Sequence, residues 1–107
     1  MAHLVCPYLQ SEIELSDERE RHIAERHPDL LPEHRDLIAA TLADPDQIRR
    51  SKRFGSARLF SKWYVDLKGG KHVVVVVVSD GDASRHWVIT AYITRSLAAG
   101  EIEWAQS

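Results

Sequence analysis

His22 and His27 stand five residues apart in a charged run, Asp17 to His27, that also supplies Arg19, Arg21 and Arg26. Histidine is the side chain whose charge changes nearest neutral pH, so such a pair suits general acid-base catalysis. Metal binding by the pair is disfavoured, because helical metal pairs stand four apart and share a direction, whereas a spacing of five turns them about 140° apart. A single cysteine, with no dense His/Cys cluster, also argues against structural zinc. The plainer reading packs His22 between a helix and a sheet and puts His27 at the helix C-terminus, where the dipole favours a cation.

RNA can be cleaved without metal when a base takes the 2′-hydroxyl proton, a cation stabilises the attacked phosphate and an acid protonates the departing 5′-oxygen. Candidates exist for each part: His22 and His27 for proton transfer, Arg26, Arg50 or Arg58 for the phosphate, and Ser51, Thr90 or Tyr92 to hold oxygens. Other chemistries lack their residues. Cys6, beside Pro7, has no basic neighbour or helix N-terminus to activate it. No GxSxG, GxGxxG or phosphate-loop pattern occurs, so no cofactor is expected.

The chain that must position these residues has 107 of them, 44% hydrophobic and 28% charged, which suits one globular domain spanning 1–107. Its longest apolar run, Val73 to Val78, is far shorter than the roughly 20 residues of a membrane helix, so no membrane partner is expected. The first ten residues carry no basic segment followed by an apolar one, and lone Cys6 cannot form an internal disulfide. Both point to a reducing, cytoplasmic home.

The net charge of -2 hides a segregation. Gln10 to Asp46 holds eleven acidic residues against four basic, whereas Gln47 to Lys62 holds Arg49, Arg50, Lys52, Arg53, Arg58 and Lys62 with no acid. A concentrated basic segment in a neutral-to-acidic domain is what a local phosphate site looks like, though a solvated charged surface gives the same pattern. Trp63 or Tyr64 can stack a base beside it, while the size of Trp63 makes a core position its first expectation.

Ser16 before Asp17, Glu18 and Glu20 predicts an N-cap and a helix running to His27, ended by Pro28. Pro32 fits the first position of a second helix that ends near Ala43, and Asp46 to Arg50 is read as one more turn. Alternation over Arg58 to Leu67, six valines in Lys71 to Ser79, and His86 to Thr94 predict three strands, the valine strand central and buried on both faces. Leu4 to Leu15 permits a short strand or hairpin, and Ile102 with Trp104 a short edge strand. The expected fold class is α+β, with two N-terminal helices packed on one face of a three- to four-stranded antiparallel sheet.

Arg21-His22-Ile23 with Arg26-His27-Pro28, the stretch Asp44-Pro45-Asp46 to Ser51, Leu59-Phe60 to Tyr64, the valine strand and Thr90-Ala91-Tyr92-Ile93-Thr94 together resemble a known group. It is the small phage and bacterial domains classed with the barnase, colicin and RelE-like nucleases, including the phage-barnase-like nucleases. The likeness spans about residues 15 to 104. It implies N-terminal helices on a four-stranded antiparallel sheet and, in active members, metal-independent RNA cleavage. It also implies that His22 and His27 match the family's histidine pair, Ser51 a small polar residue after the second helix, and Thr90 and Tyr92 the hydroxyl-bearing strand. Base and acid are not distinguished by the match, and the low overall charge departs from the basic character of RNA-cleaving toxins.

The expected function is a metal-independent endoribonuclease, phage-derived or toxin-like, with Arg26, Arg49, Arg50, Lys52, Arg53, Arg58 and Lys62 as its RNA contacts and an inhibitor or antitoxin protein as a further partner. The alternative is a non-catalytic module of the same fold that binds nucleic acid or protein. The site expectation is that His22, Arg50, Ser51, Thr90 and Tyr92 converge on one concave face with His27 at its rim.

Overall fold

Alternating and β-branched sequence dominates the outcome: in a computed structural model, which describes residues 1–52, 56–82, 84–98 and 100–106, seven strands build one mixed sheet and only two short helices form. In chain order the elements are β1 (Ala2–Cys6), β2 (Ser11–Leu15), α1 (Asp17–Arg26), α2 (Arg35–Ala43), β3 (Gln47–Arg50), β4 (Ala57–Tyr64), β5 (Lys71–Ser79), β6 (His86–Thr94) and β7 (Glu101–Ala105). The sheet order is β1-β2-β6-β5-β4-β3-β7. Every pairing is antiparallel except that of β2 with β6, where Glu14 lies opposite Trp87.

This corrects the expected two helices on a three- to four-stranded antiparallel sheet. The segment Gln47–Arg50, read as a helical turn, is a strand because β4 pairs with it on one side and β7 on the other. A four-residue segment carries too little period to reveal that, and its partners lie far along the chain. Pro32 does not begin the second helix: the Leu31-Pro32 peptide is cis and α2 starts at Arg35. The first helix agrees closely with its reading, since the Arg19 amide donates to Ser16 Oγ at 3.1 Å and satisfies one of the donors a helix start leaves open.

The valine strand lies inside the sheet, paired along its length with β4 and β6. Because successive side chains point to opposite faces, Val73, Val75 and Val77 enter the main core and Val74 and Val76 a smaller one. The main core lies on the inner face, where Ile13, Leu15, Ile48 and Phe60 meet Ile23 of α1 and Ile38 and Leu42 of α2. Fully burying one such aliphatic or aromatic side chain stabilises by roughly 1.5–3 kcal/mol, so this face carries most of the folding free energy. On the outer face Ala57, Val74 and Val76 are joined by Leu59, Ile89, Tyr92 and Leu97. Leu97 comes from the connection to β7, so that connection covers part of the outer face. No helix among the described residues is long and apolar enough to cross a membrane.

Candidate functional site

β3 splits the basic segment between the two faces. Cross-strand register sets Arg49 opposite Leu59 on the outer face and Arg50 opposite Arg58 on the inner one. The five described cations of what reads as one patch therefore divide between different surroundings.

On the inner face the cations are neutralised. Glu103 of β7 meets Arg50 Nε through Oε1 at 2.8 Å and accepts from Arg58 Nε through Oε2 at 2.9 Å. Burial pushes the Glu103 carboxyl up, but the Tyr8 hydroxyl, Arg58 and Arg50 outweigh it and hold the group below the usual range. Lys62 donates to the Asp44 carbonyl at 2.9 Å and to its carboxylate at 3.1 Å. A cavity of about 460 Å³ opens here between Arg50, Arg58, Ser79 and Asp80. Asp80 and Glu103 leave it with no net positive charge. At its wall Ser79 Oγ lies 2.6 Å from Nδ1 of His86, a pairing that meets the hydrogen-bonding need of a 4% exposed imidazole.

The outer face is different. Arg49 is 3% exposed, and its Nε and Nη2 are buried with no hydrogen-bond partner among the described residues. None of residues 53–55, 83, 99 or 107 has an acidic side chain that could supply one. Gly100 lies against it: a Cβ there would come 3.6 Å from Arg49 Cβ and 3.1 Å from the Arg50 carbonyl oxygen, so a side chain would crowd the guanidinium's stem. Arg49 forms part of the wall of a cavity of about 250 Å³, together with Arg50, Ser51, Lys52, Tyr92 and Gly100. No acidic residue lines it. A buried guanidinium without a counter-charge costs several kcal/mol, and an anion in the cavity would offset that cost.

His27 does not line this cavity but touches Tyr92, which does. α1 packs against β6 and carries the His27 ring to 5.9 Å from the Tyr92 ring, tilted by 39°. The His27 backbone is well anchored, its amide donating to the Ile23 carbonyl and its own carbonyl accepting from Leu30 and Leu31. Thus Arg50, Ser51 and Tyr92 share one cavity, and His27 contacts it only through Tyr92.

The other expected site residues lie elsewhere. His22 lines a separate shallow cavity of about 210 Å³ with Glu18, Arg19, Arg21 and Glu25, as the 140° divergence from His27 requires. Thr90 sits opposite Val76 on the outer face, beyond the cavity lining. Arg26 is exposed in the last turn of α1. Arg58 and Lys62 face inward to their carboxylate partners. Arg53 falls outside the described residues.

Trp63, expected in the core, is 44% exposed on the outer face, while Tyr64 points inward and its hydroxyl lies 2.9 Å from Thr41 Oγ1. Sequence reasoning missed Glu103, Tyr8 and Gly100, which come from opposite ends of the chain. The only available signal was the Glu101, Glu103 alternation in an otherwise apolar strand. Among the described residues no group of three or more His, Cys, Asp or Glu is placed to hold a metal ion. Comparison with protein-family models, with curated proteins and with solved structures yields no match in any of the three.

Proposed function

We propose that the outer-face cavity takes a phosphodiester of single-stranded RNA and that the domain cleaves it there without a metal. The observation that carries this reading is the buried Arg49 guanidinium with Nε and Nη2 unpaired, on a residue that walls a cavity which Lys52 also lines and no acid does. A forked donor of this kind matches two oxygens of one phosphate, and Lys52 adds charge. In cleavage the 2′-hydroxyl proton passes to a base as the 2′-oxygen attacks phosphorus. A 2′,3′-cyclic phosphate forms, the bond to the 5′-oxygen breaks, and an acid returns a proton to that oxygen. Arg49 stabilises the added negative charge at phosphorus. His27 exchanges one of the two protons, and the Tyr92 hydroxyl, in the cavity wall, serves for the other.

A specific observation favours a second reading, RNA binding without cleavage: two proton transfers are needed, and His22 lines another cavity. An activity of the first kind calls for a protein inhibitor in the producing cell, and a reducing, cytoplasmic setting accords with the lone buried Cys6. One assay separates the two readings. In excess chelator, wild type should cut an RNA oligomer to 2′,3′-cyclic ends and His27→Ala should not, while both bind the same oligomer with its 2′-hydroxyls methylated. Binding by wild type without cleavage selects the second reading. Absence of binding overturns both.

A further inference from the structure

We infer that Trp63 is a base-stacking platform of the same RNA site, on the sheet face that carries the phosphate cavity. This rests on the reading of that cavity as a phosphodiester site. Trp63 stands at the hairpin end of β4, 44% exposed, which is unusual for the largest apolar side chain, and its neighbours hold it in place. Gly70, at φ 104°, lies directly under its benzo ring, where a Cβ would come 2.5 Å from Cζ2. His72 meets the ring edge-on at a centroid distance of 4.9 Å. The Trp63 amide donates to Asp46 Oδ2 at 2.7 Å, which fixes the backbone beneath it. The side chain is therefore pre-ordered, so a base stacking on its open part would not have to immobilise it first.

Register places this platform on the face that carries the cavity. Trp63 pairs with His72, His72 with Thr94, and Tyr92 stands two residues from Thr94 on the same side of β6. Two strand spacings and one two-residue step put Trp63 and Tyr92 about 12 Å apart at the backbone, well inside the span of the roughly 4–16 nucleotides a single-strand groove holds. Arg49 pairs with Leu59, four residues before Trp63 on the same side of β4, so one strand spacing and a four-residue step put Arg49 and Trp63 about 14 Å apart at the backbone. A strand whose phosphate sits at Arg49 thus has a neighbouring base within reach of Trp63. Bases of a duplex are stacked inside it and cannot take this position, so the arrangement selects single strands.

The test uses the whole chain and a single-stranded RNA of about ten nucleotides, its 2′-hydroxyls methylated to prevent cleavage, beside the same oligomer lacking its bases. Trp63→Ala should weaken binding of the base-bearing oligomer roughly 5- to 150-fold. It should leave the abasic oligomer and the salt dependence of binding as in wild type, and Trp63→Phe should retain most of the affinity. Should the variant fold poorly, photocrosslinking of wild type to a 5-iodouridine oligomer gives an independent reading, with the adduct mapped to Trp63. Equal affinity of Trp63→Ala and wild type for the base-bearing oligomer, equal losses on both oligomers, or crosslinks confined to other residues would overturn the platform while leaving the phosphate site standing. Failure of wild type to bind either oligomer would remove the phosphate reading, and the platform with it.

Discussion

The Tyr8 hydroxyl donates to Glu103 Oε2 at 2.5 Å, joining the turn after the first strand to the last strand across 95 residues of sequence. Tyr8 also packs on Trp104, with ring centroids 6.0 Å apart, and edge-on to Phe60 at 6.3 Å. β1 and β7 are the two ends of the sheet order, so the contact means that the sheet curls until its margins approach. Glu103 then gathers Tyr8, Arg50 and Arg58 at the seam.

That seam sets an acid-side stability prediction. The carboxyl of Glu103 is held below its unfolded value, so its contribution is complete above about pH 5 and is lost as pH falls through the lowered folded-state value. Glu103→Gln should lower stability at neutral pH by roughly 1.5–3 kcal/mol, the range for hydrogen bonds to charged groups. The gap between wild type and variant should narrow as pH drops below about 4, where the wild-type carboxylate also protonates. Melting temperatures of both proteins from pH 3 to 7 measure this, and a gap that widens toward acid contradicts it.

Arg49 should trade stability for binding. Replacing it with Met removes a buried, unpaired cation while keeping an unbranched stem against Gly100, so the melting temperature in phosphate-free buffer should hold or rise. RNA affinity should fall at least about tenfold, the equivalent of roughly 1.4 kcal/mol. Wild type should gain thermal stability with added oligomer, by about 2.7 kcal/mol at a hundred times Kd, and Arg49→Met should gain far less at the same concentration.

Lys52 should act through charge alone. It is exposed at the mouth of the cavity, so Lys52→Ala should leave the melting temperature within a few degrees. Neutralising one fewer phosphate should make the slope of log K against log salt shallower by about 0.7 on single strands. An unchanged slope would place the bound strand away from Lys52.

Val75 tests the sheet itself. It is fully buried in the inner core, opposite Phe60 on one side and Ala91 on the other. An aspartate there has no cation to meet, and several kcal/mol of uncompensated charge is comparable with a whole domain's stability of about 5–15 kcal/mol. Val75→Asp should not fold, whereas Val78→Asp, at the half-exposed end of the strand, should fold with a lowered melting temperature. Circular dichroism of both variants distinguishes the cases.

Local rules determined what depends on near neighbours. Ser16 capping α1, the divergence of His22 from His27, the glycine turn at 69–70 and the alternation of the six valines follow from helical and strand geometry over a few residues, and each could be read from sequence. Strand pairing could not, because a pairing energy belongs to two segments at once. Gln47–Arg50 is too short to carry a period and became a strand only between β4 and β7. The same is true of the candidate site. The sequence shows six cations in sixteen residues, but the pleat of β3 sends Arg50 toward Glu103 and Arg49 into an acid-free cavity. Burial and partner, which separate a neutralised arginine from one left to meet a phosphate, are properties of the folded chain. Trp63 obeys the same logic: its size favours the core, and only the pairing register beside Gly70 and His72 holds it on the open face.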